Sequence, residues 1–516
     1  MKYYLSITAI SVLMFAGNAF AATYYVKPDG DDYANGKSHA NAWKSLKKIK
    51  RFSAKKGDDV YLLAGATWTR SQLTVKWSGT EDNRTIIGSY YMKEGKETIG
   101  VPRNTTKPTI EGSYTGPCPN EPGSCINSPI AVPEKAYSGL VKINANYVTI
   151  QNLRITHSAG RGIVLNKKLH HAIVEHNEIH HTAGNSVIFS RGTSYNIMRN
   201  NDTSHCAIGW KQGDWIAVSK TWPTCNSAVN SHHNIFEDNY IHESFGEGIV
   251  MLRGSRNNLV RGNTIAAVRS TNIYIDNSSS NIIENNLLVG ARDSQYTYNR
   301  QDDGHKYGGG IDVKVESYKK MYDSINNVVR NNLLVRTGGL LMGLEKKAEK
   351  AGKKIGVKFI NNTLIETATY VKLHDGTNFY DSVEIYNNIF SGSKLGPKAC
   401  KITPTNTSLH HNHWDILQAD IKCQDKTTDK IGNPRLKRNN WNEVGPDNLP
   451  TPDDFSLSTG STALKTGQSF SNQDLPIAYP NLVNNQSNCK SRKEKRLNDF
   501  NCNTRTAPLD MGAMQH

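Results

Sequence analysis

Short apolar runs broken by Asn, Gly and Ser recur along most of this chain, and they do not keep the spacing of an amphipathic helix. One phrase is written four times: NIFEDNYI from Asn234 to Ile241, NLVRGNTI from Asn258 to Ile265, NIIENNLL from Asn281 to Leu288, and NVVRNNLL from Asn327 to Leu334. Each has Asn at its first and sixth positions, two apolar residues after the first Asn, and an apolar end. The sixth-position residues Asn239, Asn263 and Asn286 are 24 and 23 residues apart. Asn332 follows after 46, which is two repeats or one repeat with a long loop. The series extends forward to Asn362 and Asn388, and backward through Asn200 and Asn177 to Asn152. A period in the low twenties is too short for helix-pair repeats. Segments such as GIVLN at Gly162, GIVML at Gly248, NIYID at Asn272 and GIDVKV at Gly310 read as strand and turn.

Short strands at a fixed period form coils that stack on one another, about 4.8 Å apart. An Asn at the same place in every coil can bond to the Asn above and below, and it tolerates the left-handed backbone of a sharp turn. The pattern therefore predicts an all-β fold, a single-stranded parallel β-helix (a solenoid), and the usual hand of parallel crossovers makes it right-handed. It spans residues 22–440, with loop insertions near 204–225 and 292–309. WKSLKKIKRF, Trp43 to Phe52, fits an amphipathic helix capping the first coil. Residues 441–516 lose the repeat and form an irregular tail or cap, along the helix or over its last coil.

The first 21 residues change the setting: Lys2, an apolar stretch from Leu5 to Phe15, and Ala19-Phe20-Ala21 have the order of a cleaved secretory signal. No other stretch is apolar enough for a membrane span, so a secreted or periplasmic product is expected. Eight cysteines fall in four neighbouring pairs: Cys118 and Cys125, Cys206 and Cys225, Cys400 and Cys423, Cys489 and Cys502. An even count in an exported chain favours disulfides, and the tight spacing of a zinc site is missing. The net charge of +16 suggests an anionic partner. No nucleic-acid motif accompanies it, and secretion argues against that class.

TYYVKPDGDDYANG with AWKSLKKI and GDDVYLLAGATW resembles the opening of secreted right-handed β-helix proteins of the pectate-lyase-like superfamily. DFSLSTGSTAL with the final LDMGAMQH resembles their ending. The resemblance implies the same fold and an activity on carbohydrate: lyase, epimerase or hydrolase of an acidic polysaccharide. The expected protein is a monomer whose partner is an anionic polysaccharide.

Alternation along one strand per coil sorts inward from outward residues. Ile163 and Leu165, Ile249 and Met251, Ile273 and Ile275, Ile311 and Val313, Val371 and Leu373 point inward. Val164, Asn166, Val250, Leu252, Tyr274, Asp276, Asp312, Lys314, Lys372 and His374 then point outward, with Glu316 just beyond its strand. This face turns ionisable from Tyr274 onward. Two long loops accompany it. Ser204 to Cys225 carries Trp210, Trp215, Trp222, Lys211 and Lys220, suited to stacking on sugar rings and meeting carboxylates. RDSQYTYNRQDDGHKYGG carries Tyr296, Tyr298, Arg300, Asp302, Asp303, His305 and Lys306.

A uronic-acid polymer is broken by β-elimination when its carboxylate is neutralised, a base takes the adjacent proton, and an acid helps the glycosidic oxygen leave. The expected base is Lys314, with Tyr274 or His305 as proton donor and Asp276, Asp312 and Glu316 as possible Ca²⁺ ligands. Arg253 and Lys211 could hold substrate carboxylates, with Trp210, Trp215, Arg300, Lys372 and His374 lining the subsites. The chain looks most like lyases of the chondroitinase B and alginate lyase type, which implies Asn239 and Glu247 as further Ca²⁺ ligands and Arg253 near the expected catalytic lysine. Ile249 stands where a second glutamate is expected, and the next coil lacks its arginine. The epimerase signature DPHD and the hydrolase signatures NTD and RIK are absent. A hydrolase, an epimerase and a non-catalytic carbohydrate-binding surface protein are the alternatives.

Overall fold

The computed structural model describes residues 21–112, 139–207, 224–290, 309–367, 370–373, 379–392, 400–401, 406–415, 425–441, 444, 447–464 and 466. Within them the chain winds through three long sheets of 14, 13 and 11 strands. All the neighbouring strands pair in parallel except one N-terminal hairpin, Thr85–Lys93 with Lys96–Ile99. This is a parallel β-helix. The coil containing Ile235–Glu237, Tyr240–Ser244 and Glu247–Leu252 visits the first, second and third sheets in that order. The inward alternates Ile249, Met251, Ile273, Ile275, Ile311 and Val313 are fully buried in one continuous core.

The two asparagines of the repeated phrase form two ladders, one at each end of the short first-sheet strand. Asn234 Nδ2 donates to Asn258 Oδ1 at 3.0 Å, and Asn258 Nδ2 to Asn281 Oδ1 at 3.0 Å. In the second ladder Asn239, Asn263 and Asn286 are linked by amide bonds of 2.9 and 3.0 Å. Asn286 bonds directly to Asn332 at 2.9 Å, so the interval of 46 is one coil with a long loop. The ladder continues through Asn362 and Asn388 to Asn412.

Two details of the sequence reading change. Asn177 bonds to Asn201, and Asn152 and Asn200 sit one position earlier, at φ of 55° and 52°. The left-handed residue of this corner is the one before each ladder asparagine: Asp238, Gly262, Asn285, Asn331, Asn361, Asn387. Bonding and turning are thus divided between adjacent residues. Asn239 was expected to ligate a metal, but it is interior. Its Oδ1 accepts from Asn201, and its amide nitrogen donates to Met198 O and Asn263 Oδ1, which leaves it no route to a surface ligand.

The outer face of the first sheet carries an ion-pair ladder. Glu175, Arg199, Glu237, Arg261, Glu284 and Arg330 stand in register on successive coils with strictly alternating sign. Arg330 Nη2 meets Glu284 Oε2 at 2.6 Å, with both side chains under a tenth exposed.

The first coil is closed by the helix Leu46–Arg51, whose Leu46 and Ile49 are buried beside Trp43. At the other end of the chain, Trp441, Val444 and Phe455 cover Ala266, Leu287, Val289, Leu333, Val335 and Ile365 on the outside of the second sheet. Cys206 and Cys225 form a disulfide, both cysteines fully buried in the core. The other paired cysteines fall outside the described residues or lack a described side chain.

Replacing Asn263 by Leu orphans the Asn239 backbone N–H and removes the side-chain link to Asn239, at about 1–3 kcal/mol. Replacing Glu284 by Ala strands the Arg330 charge, and losing one partner of a buried pair costs about 3–5 kcal/mol. Urea unfolding of both variants checks the pair, and midpoints unchanged from wild type would refute the ladders' role.

Candidate active site

The outward residues of the third sheet form two rows. Val250, Tyr274, Asp312, Leu341 and Lys372 are register partners on successive coils, as are Leu252, Asp276, Lys314 and Gly343. The rows are apolar at Val250 and Leu252, which pack with Tyr274, and become ionisable over the next two coils. Most of this outer face is covered. Asp276 is fully buried, and Asp312 and Tyr274 are less than a tenth exposed. Lys314, Glu316 and Tyr318 are half-buried, and Lys372 is exposed.

The cover comes from the chain itself. After Val315 it leaves the strand, and Glu316 and Tyr318 reach back over the preceding coil. Tyr274 donates its hydroxyl to Glu316 Oε1 at 2.5 Å. Tyr318 Oη lies 2.5 Å from Asp276 Oδ2 and 3.0 Å from Glu316 Oε2. The other oxygen of Asp276 accepts from Asn277 Nδ2 at 2.7 Å and from the Glu316 backbone N–H at 3.1 Å. Tyr322 donates its N–H to Asn277 Oδ1 at 2.8 Å. Its ring presses on Gly254, where φ is 90° and a Cβ would stand 3.0 Å from the ring, so a side chain there would lift this cover.

The electrostatics follow from the burial. Loss of water, then the nearby Glu316 charge, push the Asp276 carboxyl up to about 6 despite its hydrogen bonds. Burial, then the same carboxylates, raise the hydroxyls of Tyr274 and Tyr318 further above the ordinary phenol range, so both keep their protons. Lys314 Nζ pairs with Asp312 Oδ2 at 3.1 Å and lies 5.3 Å from the centre of the Tyr274 ring. Asp312 also accepts from Thr271 Oγ1 at 3.2 Å. The Arg253 guanidinium sits 4.5 Å above the Tyr318 ring.

Of the expected site residues, Tyr274, Asp276, Asp312, Lys314, Glu316 and Arg253 are thus gathered into one cluster. Glu247, less than a tenth exposed, is met by Ser270 Oγ at 3.4 Å and sits at the start of its strand. Trp210, Lys211, Trp215, Arg300, His305 and His374 lie outside the described residues. Among the described residues no three His, Cys, Asp or Glu side chains are disposed to hold a metal. The carboxylates expected to bind Ca²⁺ are instead occupied by hydroxyl, amide and ammonium donors, so they do not fit that ion.

Sequence reasoning missed Tyr318, which lies beyond its strand where alternation says nothing. It also missed a second polar cluster, on the outside of the second sheet. His157, His181 and His205 stack at one corner, with ring centroids 5.2 and 4.6 Å apart. Their recurrence at one repeat interval, followed by Glu243, was available in the sequence. Arg154 Nε–H donates to His180 Nε2 at 2.9 Å, a bond open only to an unprotonated nitrogen. Burial, then Arg154 and the neighbouring imidazoles, push His180 down to about 3. Burial also opposes charge on His242, but Asp202 and Glu243, each 3.0 Å away, outweigh it and push its pKa up to about 9.

Residues 134–350 match the family model described as a right handed beta helix region. The chain folds as a right-handed parallel β-helix. Solved structures similar to it include pectate lyase Pel9A, with 13% identity, 97% of this chain and 98% of that chain covered, and a TM-score of 0.48. Another is the alginate lyase AlyGC of family PL6, with 13% identity, 90% and 60% covered, and a TM-score of 0.43. A third is the GH136 lacto-N-biosidase from Eubacterium ramulus, with 16% identity, 80% and 68% covered, and a TM-score of 0.45. No curated protein sequence matches the chain. The chemistry of this β-helix therefore rests on its own residues. Among the described residues no helix is long and apolar enough to cross a membrane.

The His242 shift fixes the sign of a stability change. Its folded pKa lies above the unfolded value of about 6.5, so its contribution is complete below that pH and lost as pH rises through about 9. With Asp202 half exposed, screening reduces the effect to the order of 2 kcal/mol. His180 acts oppositely: its folded pKa is depressed, and stability is lost as pH falls below about 6.5. Thermal unfolding of His242→Gln should lack the wild-type decline between those alkaline limits. An identical decline in the variant would refute the assignment.

Proposed function

We propose that the protein is an exported enzyme acting on an acidic polysaccharide, with its active site on the outer face of the third sheet. One observation carries the reading. Two adjacent coils and the segment after Val315 bring Tyr274, Asp276, Asp312, Lys314, Glu316 and Tyr318 into a single hydrogen-bonded cluster, with Arg253 against it. A buried carboxyl pushed up to about 6 by lost water and a neighbouring carboxylate, within such a cluster, suits a functional site. The basic chain suits an anionic polymer, and the Cys206–Cys225 disulfide suits an oxidising compartment.

Among reactions on such polymers, β-elimination fits these residues best. Hydrolysis calls on two carboxyl groups flanking the scissile bond. Here Asp276 is fully buried under Tyr318, and Asp312 is less than a tenth exposed and paired with Lys314, which leaves Glu316 as the one half-buried carboxyl of the cluster. Elimination needs a cation for the uronate, a base and a proton donor. Lys314 supplies a cation beside retained phenolic protons, and Lys372 supplies a second, exposed, two coils further along in the row of Asp312. For Lys314 to serve as the base, its pair with Asp312 must first open, which substrate docking at the uronate can do.

The test is a panel of alginate, pectate, glycosaminoglycans and bacterial exopolysaccharides, followed by the ultraviolet absorbance of the unsaturated product. Elimination creates that chromophore and hydrolysis does not. With the substrate found, Lys314→Ala should lower turnover about 10²–10⁴-fold. Lys372→Ala should raise KM and spare kcat. Full activity in Lys314→Ala removes lysine from the reaction. New reducing ends without the chromophore would make the enzyme a hydrolase.

A further inference from the structure

We infer that Tyr318 is the proton donor to the departing glycosidic oxygen, and that Asp276 beneath it is the positioning residue that holds and replaces that proton. The inference rests on the third-sheet site being the catalytic one. It concerns a residue that lies off the strands.

The argument is a count of hydrogens. Tyr318 Oη carries one hydrogen and stands within bonding distance of two carboxylate oxygens, Asp276 Oδ2 and Glu316 Oε2. Glu316 has its other oxygen satisfied by Tyr274. Asp276 has its other oxygen satisfied by two N–H donors. With both carboxyls ionised, the single phenolic hydrogen serves one of them, and the other faces a bare oxygen lone pair. One further proton on Asp276 removes that repulsion. Its full burial, with the Glu316 charge nearby, selects Asp276 as the holder, in keeping with its pKa near 6.

Tyr318 is the less covered phenol of the two: it is half-buried, whereas Tyr274 is almost wholly covered and donates its hydrogen bond to Glu316. The Arg253 guanidinium over the Tyr318 ring stabilises negative charge on that ring as the proton leaves.

The step balances without a further reactant. The enzyme's base takes the proton beside the uronate, and the electrons of that C–H bond form the new carbon–carbon double bond. The bond to the glycosidic oxygen breaks, and its electron pair stays on that oxygen, which takes the hydrogen of Tyr318. The phenolate takes the proton of Asp276, leaving a carboxylate still held by Asn277 and the Glu316 N–H. Solvent returns the proton through half-buried Glu316.

Three variants test the assignment: Tyr318→Phe, Asp276→Asn and Lys314→Ala. Tyr318→Phe should lose about 10²–10⁴ in kcat on the polymer with KM nearly unchanged. On an oligosaccharide whose leaving group is a nitrophenolate, which departs without a proton, Tyr318→Phe should recover to near the wild-type rate. A merely structural tyrosine would show no such recovery. Asp276→Asn should retain binding and lose kcat, most below about pH 6 where wild-type Asp276 holds its proton, and wild-type kcat should itself fall as pH rises through that value.

A substrate-free measurement stands beside these. The proton between Asp276 Oδ2 and Tyr318 Oη should give a far-downfield proton resonance in the intact protein below about pH 6, absent from both Tyr318→Phe and Asp276→Asn. If the resonance persists in either variant, the bond is not as described and the inference falls. If Tyr318→Phe turns over polymer at the wild-type rate while Lys314→Ala is inactive, the donor is another group and the site stands. If both turn over normally, the site itself is misplaced and the inference falls with it.

Discussion

The asparagine side-chain amide, repeated at one corner of successive coils from Asn177 to Asn412, is the bond on which the rest of this molecule hangs. Its oxygen accepts both the backbone N–H and the side-chain N–H of the asparagine in the coil before it, as Asn263 does from Asn239. Its own nitrogen satisfies a carbonyl of the earlier coil and passes the pattern on. A tight corner buries peptide groups that have no strand partner, and the ladder satisfies them without water. Because each coil is thereby pinned to its neighbour in fixed register, the outward positions of the third sheet also fall into fixed rows. Tyr274 above Asp312 and Asp276 above Lys314 are consequences of corners on the far side of the barrel.

Those rows show how a rigid scaffold can hold groups that would otherwise repel. Asp276 and Glu316 share one phenol, with Asp312 close by, an arrangement water would dissolve in a flexible loop. Here the strand fixes Asp276 and Asp312. The segment from Glu316 to Tyr322 lies over them, seated on Gly254 and anchored through Asn277. Burial raises the cost of gathering like charges, and the hydrogen bonds from Tyr274, Tyr318 and Asn277 with the Lys314 ion pair offset it.

Much of this was legible in the chain. The period, the inward alternates and the outward ionisable run all follow from strand geometry, which has a fixed repeat and leaves a trace in spacing. The ladder phase was harder, because doubled asparagines such as Asn200 and Asn201 offer two candidates for one position, and only backbone conformation separates the turning residue from the bonding one. Asn239 carried two readings, a ladder asparagine from the repeat and a metal ligand from the resemblance, and the ladder is where it stands. Tyr318 left no trace at all, since its role comes from a backward fold of the chain after a strand ends, and periodicity stops there. The histidine stack did leave a trace, His157, His181 and His205 at one interval, but their left-handed backbone takes them out of strict strand alternation, and spacing alone does not show that.

The alternating glutamates and arginines along the first sheet set a rule for the length of this protein. Between Glu175 and Arg330 each inner coil meets the opposite sign above and below. Removing or duplicating one coil within that stretch brings two arginines or two glutamates face to face at a half-sealed surface. Removing or duplicating two restores the match. The stack thus has a parity, and it can grow or shrink by gene duplication smoothly only in pairs of turns.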